Sequence, residues 1–112
     1  MVSPDELWIV DFGEPYPGEP AHHRPALVVG PIGLFGPDFP FVFVIPLTTS
    51  ARGLSLHVEV DPSSTSGLDA ISYAQCELLR SVSSRRLVHR MGTINRQSSR
   101  QVETVVRSLL GY

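Results

Sequence analysis

The sequence predicts a mainly β fold of the α+β class, a compact barrel of short strands with one C-terminal α-helix packed on it. Three observations lead there. Short apolar, β-branched runs recur along most of the chain. Pro and Gly cluster at 13–20 and 30–40, which marks loops between those runs. The last stretch changes to helical periodicity, and many strands followed by one helix fit a barrel with a helix on it.

The first strand is expected over Leu7–Phe12 and the second over Pro25–Val29. The third, Phe41–Leu47, contains no polar residue and is expected to be buried on both faces, with Pro46 at its end or at a bulge. Leu54–Val60 alternates, so Leu54, Leu56, Val58 and Val60 are expected to face the core and Ser55, His57 and Glu59 to face out. Asp61–Gly67 reads as a turn. Further strands are expected within Ile71–Val82 and Leu87–Ile94. Val102, Val105, Val106, Leu109 and Leu110 then form one helical stripe, with Arg96, Arg100, Glu103 and Arg107 on the opposite face. Asn95 suits the N-cap and Gly111 the stop.

A chain of 112 residues suits one domain, 1–112, with a core large enough to need no disulfide. Cys76 stands alone, which excludes an internal disulfide and a cysteine-built zinc site. Met1–Glu6 lacks a basic region followed by an apolar stretch, so it does not read as a secretory signal. The run Phe41–Leu47 is far too short to span a membrane. A cytoplasmic location and no membrane partner are the expectations.

The net charge of −2 argues against nucleic acid, but its distribution does not. Residues 1–61 carry eight acids and two arginines, a balance of −6. Residues 62–112 carry three acids and seven arginines, a balance of +4. Such asymmetry builds a basic face on an acidic protein. Every basic residue other than His is Arg, whose planar fork binds phosphate through two parallel hydrogen bonds.

Arg24 opens the second strand and Thr48 ends the third. If those strands pair as a hairpin, the two residues share one end of the sheet, and a guanidinium beside a hydroxyl makes a phosphate site. Glu19 lies in the Gly/Pro-rich loop just before Arg24. A cation, a hydroxyl and a carboxylate suffice to cleave RNA without metal. The 2′-OH needs a base, the leaving 5′-oxygen an acid, and the crowded phosphate a stabilising charge. Each residue also has an ordinary structural reading: a surface Arg, a hydroxyl-bonded turn at Thr48–Ser50, and a solvated loop acid. His22 and His23 are neighbours in an extended loop and point opposite ways, so they do not serve one site together. They read as loop residues touching substrate. No carboxylate or third His stands at metal-ligand spacing, so neither metal nor cofactor is expected.

Taken in order, these residues resemble the MazF/PemK family of toxins. Leu7–Phe12, Gly18-Glu19 and Arg24–Val29 are similar to the family's opening: an apolar strand, a loop acid, and Arg-Pro leading a second strand. The likeness continues through Val44–Thr49, His57–Val60, Cys76-Glu77, Arg80–Val82, Arg86-Leu87, Met91–Ile94 and the terminal helix. The resemblance implies an SH3-like barrel paired into a homodimer, with RNA across the interface. It also implies a MazE-type antitoxin partner. Family catalysis is metal-independent and leaves 2′,3′-cyclic phosphate and 5′-hydroxyl ends. Arg24 matches the catalytic arginine, Thr48 the threonine near the scissile phosphate, and Glu19 a loop acid proposed as base. His22, His23, Thr49, Arg52, Arg80 and Arg86 are the expected RNA contacts. Leu78 replaces a Gln frequent in relatives, and Pro20–His23 replaces a usual Gly. The cut sequence and the class of RNA therefore stay open. Two alternatives remain: a toxin of the same fold that poisons DNA gyrase, and an SH3-like interaction module. In the second, Trp8 and the Phe residues would have to form an open groove rather than core.

Overall fold

The computed structural model describes residues 2–31, 33, 36 and 38–112. Met1 and four residues of the expected 30–40 loop, Ile32, Leu34, Phe35 and Pro37, lie outside the described residues. Strands β1 (Glu6–Asp11), β2 (His23–Gly30), β3 (Phe41–Thr48), β4 (His57–Val60), β5 (Ser72–Gln75), β6 (Arg80–Ser83) and β7 (Leu87–Thr93) precede helix α1 (Arg96–Leu110). The strands pair antiparallel in the order β4-β5-β3-β2-β1-β7, and β6 adds to the free half of β3.

Side-chain alternation splits the sheet into two packed faces. Leu7, Leu27, Ile45, Leu47, Val58, Val60 and Ala74 lie on one face and pack with Val102 of α1. Val10, Phe12, Ala26, Val28, Val42, Val44 and Val82 form a second cluster on the other. In that cluster β6 meets β1, which requires the sheet to bend into a barrel. Arg80 seals the join by lying over the Phe12 ring, 5.7 Å from its centroid.

The ends of α1 follow their sequence signals. Asn95 Oδ1 accepts the Ser98 N–H at 2.8 Å, and Gly111 adopts φ +79° to end the helix. Ser98 Oγ donates to the Glu59 carbonyl and Ser99 Oγ to Asp5 Oδ1, tying the first turns of the helix to β4 and to the residue before β1.

Several expectations are corrected. Strand β4 begins only at His57, because Gly53 turns the chain at φ +64° and the His57 N–H closes a turn on the Leu54 carbonyl. Leu54 is consequently 48% exposed rather than in the core. The His57 side chain, expected outside, is only 3% exposed and bonds to Glu77. Ile71–Val82 holds two strands, split by a 3-10 turn over Cys76–Leu78 that redirects the chain from β5 to β6. Phe41 and Phe43 are exposed, so β3 is buried on both faces only from Val44 to Leu47. Leu109 and Leu110, expected on the buried stripe of the helix, are also exposed; only Val102, Val105 and Val106 of that stripe pack on the core.

Pro46 sits inside β3, opposite Ala26. Strand β3 changes partners there, pairing with β6 up to Val44 and with β5 from Leu47. The missing N–H falls in the break between the two ladders.

Candidate functional site

The site grows from the register of the sheet. In β2 and β3, Ala26 stands opposite Pro46. Continued by two residues, that register sets Arg24 across from Thr48. Val10 flanks Arg24 on β1, and Tyr73 of β5 flanks Thr48. Glu59 of β4 lies across from Tyr73. Directly opposed residues share a face, so Arg24, Thr48, Tyr73 and Glu59 form one row across four strands.

The row lies on the face that holds Ala26, Val28, Val42 and Val44 deeper in. It therefore borders the open end of the barrel. Arg24 is half-buried, and among the described residues its side chain has no hydrogen bond or ion pair. Its place before Pro25 holds its backbone extended, which limits where the guanidinium can reach. Thr48 Oγ1 accepts the Ser50 N–H at 3.2 Å. That bond orients the hydroxyl and leaves its proton free to donate.

Arg80 and Arg86 stand at the rim near β1. Arg80 pairs with Val44 on the same face and stacks on Phe12. Arg86 Nη1 donates to the Asp11 carbonyl at 3.1 Å. Three arginines thus stand around the place where β1 ends and β2 begins.

The remaining predicted residues are placed differently. Glu19 Oε1 accepts the Tyr16 N–H at 2.8 Å, so its carboxylate is held within its own loop. His22 is exposed at φ +52°, and its backbone bridges to Gly13 and Phe12. His23 begins β2, with Nε2 3.7 Å from Asp11. Thr49 and Arg52 lie exposed beyond the end of β3, and among the described residues the Arg52 side chain has no hydrogen bond or ion pair.

Tyr73, Gln75 and the His57–Glu77 pair were not singled out from sequence. His57 Nε2 stands 2.8 Å from Glu77 Oε2. Gln75 is paired with His57 across β5 and β4, one step deeper than Tyr73 and Glu59. The detectable signal was the polar residues Gln75 and Glu77 inside an otherwise apolar run. Between them, Cys76 is buried and its thiol is pushed up to about 11, by burial first and the Glu77 carboxylate second. It stays protonated at neutral pH and is a poor nucleophile. Among the described residues no three His, Cys, Asp or Glu side chains are grouped to hold a metal. None of their helices is long and apolar enough to cross a membrane.

Residues 4–110 match the sequence model of the PemK-like, MazF-like toxins of type II toxin–antitoxin systems. The chain belongs to this family. Solved structures of MazF toxins share its fold at low identity. MazF from Deinococcus radiodurans superposes with a TM-score of 0.82 at 22% identity, over 99% of this chain and 97% of that one. The Mycobacterium tuberculosis toxin MazF-mt6 gives 0.77 at 21%, over 95% and 96%. An endoribonuclease in complex with its cognate antitoxin, from a mycobacterial species, gives 0.79 at 18%, over 99% and 96%. The antiparallel barrel with one C-terminal helix is the MazF fold, and the row from Arg24 to Glu59 is a feature of this member of it.

Proposed function

We propose that this MazF/PemK-family chain is a single toxin domain, 1–112, that cleaves single-stranded RNA without metal in the cytoplasm and so blocks translation. The observation that carries the reading is Arg24, unpaired among the described residues, opposite Thr48 at an open barrel end rimmed by Arg80 and Arg86. Arg24 stabilises the charge that builds on the phosphate as the 2′-oxygen attacks. Thr48 donates its hydroxyl proton to a phosphate oxygen. Glu19 takes the 2′-proton once RNA displaces its carboxylate from the Tyr16 N–H. The P–O5′ bond then breaks and the departing 5′-oxygen takes a proton from solvent water, leaving a 2′,3′-cyclic phosphate and a 5′-hydroxyl. His22, His23, Thr49 and Arg52 would contact the RNA on either side of the cut. The working form is a homodimer, and a MazE-type antitoxin silences it by covering the basic rim.

A cleavage gel tests this reading. An RNA carrying one 2′-deoxy sugar at the cut should resist, since it lacks the nucleophile. Equal cutting of both substrates would refute it. Inhibition of DNA gyrase by a protein that leaves RNA intact would favour the gyrase-poison alternative.

Thr48 and Thr49 form an internal control. Thr48→Val keeps the side-chain shape and removes the hydroxyl, so cleavage should fall by roughly 10- to 100-fold, as for the loss of one or two hydrogen bonds to a charged group. Thr49→Val, beyond the strand end, should change the rate little. Measured rates under single turnover check both. A larger loss at Thr49 would mean that the wrong hydroxyl has been assigned.

A further inference from the structure

The row Arg24, Thr48, Tyr73, Glu59 ends at an edge, because β4 has β5 as its strand neighbour on one side and none on the other among the described residues. Beyond that edge, between β4 and α1, lies a cavity of about 640 Å³. Its walls include His57 and Glu59 from β4 and Arg96, Gln97, Arg100 and Gln101 from α1. Arg96 and Arg100 are one helical turn apart, so they project from the same side of α1. Among the described residues neither guanidinium has a hydrogen bond or an ion pair.

The wall also holds an unsatisfied group. His57 is 97% buried at its side chain, with Nε2 held by Glu77, yet its Nδ1 has no partner. The one acid among those lining residues is Glu59, an exposed carboxylate. A hydrogen bond with Asp61, and then repulsion from it, raises the Glu59 pKa.

We propose that single-stranded RNA runs from the Arg24–Thr48 centre across Tyr73 and over the β4 edge into this cavity, where Arg96 and Arg100 hold backbone phosphates. The proposal rests on the nuclease reading above and extends its footprint. Three strand spacings separate Arg24 from Glu59, roughly 15 Å. The helix arginines therefore contact nucleotides away from the cut. Tyr73 lies between the two sites and is partly exposed, as a residue that offers its ring for a base to stack on would be. RNA suits the cavity better than an acidic peptide does, because the groove continues the row that holds the phosphate site.

The test uses the double substitution Arg96→Gln, Arg100→Gln, which keeps good helix formers on an exposed face. Binding is read by fluorescence anisotropy with a long 2′-O-methyl RNA, which cannot be cleaved, so the result stands even if the nuclease reading fails. The variant should bind this RNA about ten-fold more weakly. Its slope of log affinity against log salt should flatten by roughly 0.7 per lost phosphate contact. A short 2′-O-methyl RNA confined to the cut-site nucleotides should bind both proteins alike. On a cleavable long RNA, kcat/KM should fall in step with binding while kcat at saturation holds. Unchanged long-RNA affinity and salt slope, or equal losses on both lengths, would overturn the proposal. If the variant loses affinity for polyglutamate and keeps it for RNA, the cavity belongs to an acidic protein partner instead. Failure of the wild type to cut any RNA, with the length-dependent binding loss intact, would remove the nuclease reading alone.

Discussion

Arg24→Ala is expected to slow single-turnover RNA cleavage by on the order of 100- to 1000-fold, or ~3–4 kcal/mol, the usual effect of losing one preorganised donor to a developing oxyanion. The fold should survive, because the Arg24 side chain makes no hydrogen bond or ion pair among the described residues. Arg24→Lys separates two roles for the charge. Lysine keeps the cation but lacks the planar fork, so a point-charge role would be largely rescued and a bidentate role would not. Poor rescue is expected, since the backbone before Pro25 directs one side chain at one phosphate. Rates of the three proteins on one RNA, with circular dichroism as the fold control, decide the point. Near-normal cleavage by Arg24→Ala would remove the central residue from the mechanism.

The largest expected effect on stability lies beneath the site. Leu27 is fully buried, and it is paired on either side with Leu7 and Ile45, themselves fully buried. Leu27→Ala deletes three carbons from the centre of the larger cluster. It should destabilise by about 2–5 kcal/mol through lost transfer energy and the cavity left behind. For a domain of this size, that lowers the unfolding midpoint by roughly 10–20 °C. Leu54→Ala is the contrast. Simple alternation puts Leu54 in the same core, but at 48% exposure it should cost within about 0.5 kcal/mol. Thermal melts of both variants test the fold directly, and a large loss at Leu54 would restore the longer strand.

What the sequence made legible was local. The helix announced itself through Asn95, the valine stripe and Gly111, each a signal within a few residues of the structure it dictates. The strands from β1 to β3 carried long apolar runs and were placed to within a residue or two. Errors arose where tertiary contacts overrode pattern. Leu54–Val60 alternates throughout, yet Gly53 and the turn at Leu54 detach its first half. His57 was read as outward because β4 alternates, and it does lie opposite the core face. Contact with Glu77, twenty residues away, buries it all the same.

The site was half legible for the same reason. Arg24 and Thr48 could be paired by assuming a hairpin between neighbouring apolar runs. Tyr73 could not be added, because its place beside Thr48 depends on β5 crossing to the far side of β3. No spacing in the chain encodes that crossing. Glu19 was legible as a loop acid, but its bond to Tyr16 is a detail of loop conformation that composition does not fix.

The central claim is that the Arg24–Thr48 row cleaves RNA by attack of the 2′-hydroxyl, using side chains alone. The most direct test is to incubate the purified protein with a single-stranded RNA in excess EDTA and identify the chemical groups at both new ends. The account predicts cleavage that leaves a 2′,3′-cyclic phosphate on one fragment and a 5′-hydroxyl on the other, with Arg24→Ala nearly inactive in the same assay. Fragments bearing 5′-phosphate, or cleavage that appears only when Mg²⁺ is restored, would contradict it.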